Sequence, residues 1–248
     1  MSKRNDNVDS AISEWPEVIT FDFYGTLVQN KPEAQARFAQ ILSWNRASHI
    51  DARVFYGRWV RLVSDLQHGP FQLYRDICEA ALERAFAEHG IAGRARDVEH
   101  YFDGFSKFPL WPETEPVLGE LGQRFSLGIV TNCDQNLFAL TPKPSVPIRF
   151  HFTSEAARGY KADGTLFRYV LRETSIRPSA LLHAGQSQRT DLVGAKPLGI
   201  TCAWINRHAL NRDEDVPKPD FEFSDLTPLP NLIRQQAKEV AGPVVSAQ

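Results

Sequence analysis

Five short apolar segments, separated by longer stretches with helical spacing, are the feature that most constrains the fold of this chain. The first runs over residues 18–24 and stops at Gly25-Thr26, as a buried strand ended by a tight turn does. Further strands are predicted at residues 126–131, 148–152, 180–185 and 200–205, and helices at residues 113–124, 163–174 and 190–198. Strands that alternate with helices form a parallel sheet with right-handed crossovers. The pattern therefore predicts an α/β protein whose sheet is covered on both faces.

A long interruption separates the first two strands. Over residues 32–105 apolar and charged residues recur at helical spacing, with breaks at His68-Gly69-Pro70 and His89-Gly90, so this segment is predicted to be entirely helical. The predicted organisation is a flexible N-terminal arm at residues 1–16, an α/β core at residues 17–30 and 108–240, and a helical domain inserted at residues 31–107.

Composition sets broad limits on function. The 248 residues are 42% hydrophobic and 23% charged, with a formal net charge of −2, which is ordinary for a folded protein with a full core. A nearly neutral chain has no overall attraction to nucleic acid or anionic membranes. The N-terminal residues lack an apolar signal-peptide core, no apolar run is long enough to span a bilayer, and Cys78, Cys133 and Cys202 lie far apart. These features favour a soluble, cytoplasmic protein that binds neither nucleic acid nor membrane.

Polar residues stand at or just beyond four of the predicted strands. Asp22 lies at the end of the first strand and Thr131-Asn132 at the end of the second, while Lys161 and Asp191 follow the third and fourth. Because ligands of parallel sheets bind beyond the carboxyl ends of the strands, we expect these side chains to meet. Each one alone also has a structural explanation, as a helix cap, a turn residue or a surface lysine. Their order on successive strands indicates a catalytic site.

These residues stand in motifs that resemble those of the haloacid dehalogenase superfamily. The matching segments are Phe-Asp-Phe-Tyr-Gly-Thr-Leu at 21–27, Val-Thr-Asn at 130–132, Gly-Tyr-Lys at 159–161, and His-Ala-Gly-Gln-Ser at 183–187 followed by Asp191. The resemblance covers roughly residues 17–207. It implies a Rossmann-like parallel-sheet core with an inserted all-helical cap domain, at the place of the predicted helical segment. It also implies a hydrolase whose nucleophile is Asp22.

Two chemistries are compatible with this resemblance, because the aspartate of the superfamily attacks either phosphorus or carbon. The superfamily's phosphatases carry a second aspartate two residues after the nucleophile and a metal-binding aspartate in the fourth motif. Here those positions hold Tyr24 and Gln186. A tyrosine is neutral at pH 7, and a glutamine brings no charge to a magnesium site. The expectation is therefore an enzyme without metal or other cofactor, with Mg²⁺ required only by a phosphatase.

A tyrosine two residues after the nucleophile, here Tyr24, is similar to the pattern of the metal-independent L-2-haloacid dehalogenases. In that interpretation Asp22 displaces halide from carbon 2 of a short haloacid, and water hydrolyses the resulting aspartyl ester. Lys161 would keep Asp22 anionic. The other expected roles are substrate-carboxylate binding by Thr131 and Asn132, orientation of Asp22 by Thr26, and placement of Lys161 and of the hydrolytic water by Asp191.

Further residues are expected around the substrate. The predicted substrate-binding residues are Phe23, Tyr24, Thr26, Arg58, Arg61, Gln186 and Gln188. Phe23 and Tyr24, together with Trp59 and Trp111, would wall an apolar slot. One of the two arginines would receive the carboxylate or the halide. Gln186 and Gln188 stand where L-2-haloacid dehalogenases carry Ser and Asn. The hydrolytic water is therefore expected to be activated differently here.

The predicted partner is a small-molecule substrate, a short haloacid, and the resemblance favours a homodimer. Two alternatives stay open. One is a phosphatase of the same superfamily with an altered magnesium site. The other is a binding protein that kept the fold and lost catalysis, although retention of both Asp22 and Lys161 argues against it, since a buried ion pair adds little net stability.

Overall fold

The core of the protein is a six-stranded parallel sheet. The computed structural model describes residues 15–241. Its strands are β1 (Val18–Asp22), β2 (Ser126–Thr131), β3 (Phe150–Thr153), β4 (Leu181–Gly185), β5 (Thr201–Ile205) and β6 (Phe221–Phe223). Their order in the sheet is β3-β2-β1-β4-β5-β6, and every neighbouring pair is parallel. The predicted α/β fold is confirmed, with β6 as a strand that the sequence analysis missed.

The insertion between β1 and β2 is helical, as predicted. Its helices are α1 (Lys31–Trp44), α2 (Ala52–Leu66), α3 (Tyr74–Glu88) and α4 (Glu99–Phe102), with single 3₁₀ turns at Ala95–Val98 and Phe105–Lys107. α2 begins where Asp51 caps the backbone N–H groups of Arg53 and Val54, which otherwise have no partner in the helix. Aromatic side chains fill the space between these helices, for example Trp59 against Phe38 at 4.8 Å.

The remaining helices flank the sheet. They are α5 (Thr114–Leu121), α6 (Gln135–Leu140), α7 (Ser154–Ala157), α8 (Thr165–Thr174), α9 (Val193–Ala195) and α10 (Leu229–Ala241), with a 3₁₀ turn at Pro178–Ala180. The prediction of one continuous helix over residues 190–198 was wrong. A π-helical turn at Gln188–Leu192 leads into α9, and a 3₁₀ turn at Lys196–Leu198 follows. Pro197 accounts for the last change, because it has no N–H to continue an α-helix.

The register of the sheet brings the functional strand ends to one edge. Asp22 pairs with Val130, so β1 and β2 end within one residue of each other. β4 runs beside β1 on its other side, with Ala184 opposite Phe21. All five residues of β1 are buried, and a carboxylate at the end of such a strand needs polar partners from its neighbours.

The insertion is attached to the core by polar contacts as well as by packing. Asp134, in the loop after β2, accepts hydrogen bonds from the backbone N–H groups of Tyr74 (2.7 Å) and Arg75 (2.8 Å). The residue before α3, Leu73, has no side chain that could cap the helix. Asp134 therefore caps the first turn of α3 from the other side of the junction.

Part of the predicted N-terminal arm, residues 1–14, lies outside the described residues. Trp15 donates from Nε1 to the carbonyl oxygen of Ser179 at 2.9 Å, and Pro16 is buried, so this end of the arm is packed on the core. Within residues 15–241, no helix combines the length and the apolarity that crossing a bilayer requires. All three cysteines are buried free thiols.

Candidate active site

Asp22 is fixed from two sides at the end of β1. Its Oδ1 lies 2.5 Å from Nζ of Lys161, and its Oδ2 accepts a hydrogen bond of 2.7 Å from the hydroxyl of Thr26. The Thr26 hydroxyl in turn accepts from the backbone N–H of Gln186 at 2.9 Å. Since both Asp22 and Thr26 are buried, this chain of contacts holds the carboxylate in one orientation.

Lys161 joins two buried carboxylates. Its Nζ also lies 2.8 Å from Oδ1 of Asp191. The second oxygen of Asp191 accepts from the backbone N–H of Ser187 at 3.0 Å. The oxygens of Asp191 are thus occupied by protein donors, and Asp191 is 1% exposed. The geometry supports a role in placing Lys161 more directly than a role in holding water.

His183 is a member of this network to which the sequence analysis gave no role. Its Nε2 lies 3.2 Å from Oδ1 of Asp191, and its Nδ1 lies 3.0 Å from the hydroxyl of Thr20. A carboxylate only accepts hydrogen bonds, so Nε2 donates to Asp191, while Nδ1 faces the hydroxyl of Thr20. A histidine inside the apolar strand β4 was the signal that could have identified it.

The pKa values of the two carboxylates, Asp22 and Asp191, are shifted in opposite directions. Burial raises the pKa of Asp22, and the negative charge of Asp191 acts in the same direction, against the opposing effects of Lys161 and Thr26. Burial also opposes ionisation of Asp191, but Lys161 and His183 outweigh it, so the pKa of Asp191 is lowered. Burial disfavours the charge of Lys161, yet the two carboxylates raise its pKa. Asp22 is therefore the more basic carboxylate of the two, which suits a nucleophile.

The Asp22 carboxylate opens onto a cavity of about 370 Å³ between the core and the insertion, called the inner cavity below. The predicted site residues that line it are Asp22, Tyr24, Arg61, Thr131, Asn132, Lys161 and Gln186. The insertion contributes an aromatic wall made of Tyr56, Trp59, Tyr74 and Tyr101. Among the described residues, Asp22 is the single carboxylate in the lining.

The second motif connects the core to the insertion. Asn132 accepts from the backbone N–H of Lys161 at 2.9 Å through Oδ1, and its Nδ2 donates to Oε1 of Gln67 at 3.1 Å. An amide Nδ2 has two hydrogens, so Asn132 keeps one donor for a ligand. Gln67, which the sequence analysis missed, lines the inner cavity from the end of α2.

Tyr24 and Gln186 occupy the positions of the two phosphatase carboxylates. The hydroxyl of Tyr24 lies 3.1 Å from that of Thr141, and burial raises the pKa of Tyr24 well above its ordinary value, so Tyr24 stays neutral. The side chain of Gln186 packs over Gly25, where an added Cβ would approach Gln186 Cγ to 3.1 Å. Gly25 also has φ +90°, a conformation that favours glycine.

This donor set does not fit a magnesium site. Within residues 15–241, no three His, Cys, Asp or Glu side chains come together in an arrangement that could hold a metal ion. Asp22 and Asp191 each direct an oxygen at the ammonium group of Lys161, and Gln186 is uncharged. Mg²⁺ is normally held by carboxylate and phosphate oxygens.

Four predicted residues lie outside the lining of the inner cavity besides Asp191. Phe23 is fully buried in the core and packs on Phe138 at 5.0 Å, because side chains of an extended segment alternate in direction and that of Asp22 faces the site. Thr26 contacts Asp22 through its hydroxyl and does not line the cavity. Arg58 is paired with Glu88 on α3 (2.7 Å and 2.5 Å). Gln188 accepts from the backbone N–H of Asp213 at 2.8 Å and so holds a neighbouring loop.

Solved structures with the same fold include two L-2-haloacid dehalogenases. One is 22% identical, covers 88% of this chain and 98% of its own, and superposes with a TM-score of 0.75. The other, from Xanthobacter autotrophicus, is 16% identical with the same coverage and a TM-score of 0.75. At these identities the likeness establishes the fold.

Sequence comparison identifies the family. A curated phosphoserine phosphatase from Thermus thermophilus is 26% identical over 214 residues, which are 82% of this chain and 83% of that protein. The family of haloacid dehalogenase-like hydrolases matches residues 16–199, which include the whole Asp22, Lys161 and Asp191 network. The chain belongs to the haloacid dehalogenase-like hydrolases.

Proposed function

We propose that this hydrolase acts without metal on short 2-haloacids, with Asp22 as the nucleophile and a covalent aspartyl ester as the intermediate. One observation carries the proposal: Asp22 is the single carboxylate among the described residues that line the inner cavity. A phosphatase of this superfamily uses a second carboxylate as general acid and base, whereas displacement of halide needs a nucleophile alone. Asp22 is also held ready by Lys161 and Thr26.

In the first step, an oxygen of Asp22 attacks carbon 2 of the haloacid. A carbon–oxygen bond forms, the carbon–halogen bond breaks, and the halide leaves with the bonding electron pair. No general base is required, because the carboxylate is the nucleophile. The aromatic wall of the insertion excludes water from the haloalkyl group, and the fixed orientation of Asp22 favours attack from one direction.

In the second step, water attacks the carbonyl carbon of the ester. The bond between that carbon and the ester oxygen breaks, the 2-hydroxy acid leaves with an oxygen that came from Asp22, and one proton is released. Conversion of Asp22 to an ester removes a negative charge next to Lys161. The ammonium group can then stabilise the charge that develops as water attacks. Thr131, Asn132, Gln186 and Ser187 line the inner cavity and can hold the water.

Arg61 is proposed to bind the substrate carboxylate or the departing halide. It lines the inner cavity, and no hydrogen bond or ion pair to another residue among 15–241 occupies its guanidinium group, whereas Arg58 is engaged with Glu88. We predict that Arg61→Ala lowers kcat/KM for a 2-haloacid by about 10- to 100-fold, the value of a hydrogen bond to a charged group. Arg58→Ala is the matched control, with an expected change within about twofold because its ion pair is exposed. Equal losses in both variants would contradict the assignment.

A paired assay on one purified sample tests the reaction. Halide release from 2-chloro-, 2-bromo- and fluoroacids is followed with chelator present, and phosphate release from phosphomonoesters, including phosphoserine, is followed with Mg²⁺. We expect halide release that is insensitive to chelator and lost in Asp22→Asn. Phosphate release that depends on Mg²⁺, without halide release, would refute the proposal. It would favour the phosphatase alternative, which the 26% identity to a phosphoserine phosphatase motivates.

A further inference from the structure

A second cavity adjoins the inner one and has a different character. This outer cleft has a volume of about 750 Å³ and lies between the insertion and the core loops. Five residues line both cavities, namely Tyr24, Asn30, Tyr56, Val60 and Gln186. The two spaces therefore adjoin each other at these five residues.

The charged groups of the outer cleft have one sign. Lys31, Arg53 and Arg207 line it, and no Asp or Glu is in its lining among the described residues. The chain as a whole carries a formal charge of −2, so this positive region is a local feature. A cleft lined by charges of one sign attracts ligands of the opposite sign.

Two of these cations are available to a ligand. Lys31, at the start of α1, has no hydrogen bond or ion pair with another residue among 15–241. Arg53 lies 3.9 Å from Asp51 at its nearest approach, with 77% of its side chain exposed. The Asp51 oxygen concerned already caps the start of α2 through two backbone N–H groups. The guanidinium group of Arg53 is thus free to take a carboxylate through two hydrogen bonds.

Arg207 is held in the cleft by three contacts. Arg207 donates to the carbonyl oxygen of Thr26 at 2.7 Å, pairs with Glu113 at 2.7 Å, and stacks over Trp111 at 4.2 Å. Burial lowers the pKa of the adjacent His208, and the positive charges of Lys31 and Arg207 lower it further. Lys31 and Arg207 therefore lie near His208 at the same end of the cleft.

A short haloacid does not need this space. Cavities of about 300–1,000 Å³ hold drug-sized ligands. The inner cavity has a volume of about 370 Å³, and a three-carbon 2-haloacid has only about six non-hydrogen atoms. We propose that the outer cleft binds a second carboxylate, at the far end of the substrate, through Lys31 and Arg53, so that the preferred substrates are 2-halodicarboxylates. The proposal rests on the proposed function for the reacting end of the molecule.

The binding test uses acids that cannot react. Affinities of butanedioate, hexanedioate and octanedioate are compared by calorimetry with those of butanoate, hexanoate and octanoate, for the wild type and the double variant Lys31→Ala/Arg53→Ala. At one or more lengths we expect the dicarboxylate to bind about fivefold more tightly, from two exposed ion pairs, and this preference to disappear in the double variant. The control Arg84→Ala/Arg96→Ala removes two exposed charges of the insertion outside both cavities and should retain it.

Equal affinities at all three lengths, or a preference that survives in the double variant, would overturn the proposal and leave the cleft as a region that only attracts anions. Turnover separates this result from failure of the proposed function. Bromide release from 2-bromohexanedioate is compared with release from 2-bromohexanoate and 2-bromopropanoate. A binding preference without bromide release from any of them would support the second carboxylate site and refute haloacid chemistry at Asp22.

Discussion

Asp22→Asn is expected to reduce halide release on the order of 10⁴-fold or more, as loss of a nucleophile does in enzymes with covalent intermediates. An amide has no negative charge and does not displace halide from carbon. The substitution keeps the shape of the side chain. Its amide oxygen can accept from Lys161, and its NH2 group can then donate to the hydroxyl of Thr26. The variant should therefore fold, and its Tm should stay close to that of the wild type.

The same experiment can identify the covalent intermediate. In a single turnover in ¹⁸O-labelled water, the 2-hydroxy acid should contain unlabelled oxygen, because its hydroxyl oxygen comes from Asp22. Mass spectrometry should then find the label in the peptide that contains Asp22. Labelled product in the first turnover, with an unlabelled peptide, would mean that water attacks carbon directly, and the ester mechanism would be refuted.

Lys161→Met is expected to destabilise the protein by about 3 kcal/mol or more at pH 7, because it leaves charged groups buried without their partner. Asp22 and Asp191 are 7% and 1% exposed, and each loses the same ammonium group. Halide release should be lost as well, since the pKa of Asp22 rises further without its counter-charge. Urea unfolding at a series of pH values measures the effect.

The pH dependence distinguishes this effect from simple loss of packing. In the wild type, the lowered pKa of Asp191 contributes stability above the unfolded pKa of about 4, which is lost as the pH falls. In the variant, ionisation of the two carboxylates costs free energy at neutral pH, and this cost disappears as they are protonated. The difference between wild type and variant should therefore shrink from pH 7 toward pH 4.

Lys196→Met provides the matched control for Lys161. Lys196 pairs with Asp220 at 2.7 Å, but its side chain is 21% exposed and that of Asp220 36%. An ion pair in contact with solvent contributes about 1 kcal/mol or less. A deficit in Lys161→Met that is as small as that of Lys196→Met, or that is unchanged between pH 7 and pH 4, would contradict the role assigned to Lys161.

The parts of the fold that the sequence predicted are those governed by local pattern. β1, β2 and β5 are nearly continuous apolar runs, and such runs are typical of strands buried on both faces. β6 escaped because its three residues, Phe221–Phe223, form an edge strand that is partly exposed, too short to give a pattern. The π-helical turn at Gln188–Leu192 is a departure from regular geometry that is common at functional sites and has no distinct sequence signal.

In the active site, position along the chain was enough to predict which strand-end residues line the cavity. It was not enough to predict which residue of a helix faces the cavity. Asp22, Thr131 and Lys161 line one cavity because the parallel sheet brings strand ends together. The choice between Arg58 and Arg61, only three residues apart on α2, depended on Glu88, which is thirty residues further along the chain. Such a partner is fixed by the packing of α2 against α3, which the sequence pattern does not specify.

The cap that Asp134 gives to α3 bears on how the insertion can be exchanged between related enzymes. A helix without its cap loses about 1 kcal/mol, and here the capping residue lies some sixty residues away from the helix it caps. A chimaera that transplants residues 31–107 onto a foreign core would leave that residue behind. Such a graft needs an aspartate in the recipient's loop after β2. The segment that has to be exchanged therefore includes this loop as well as the insertion.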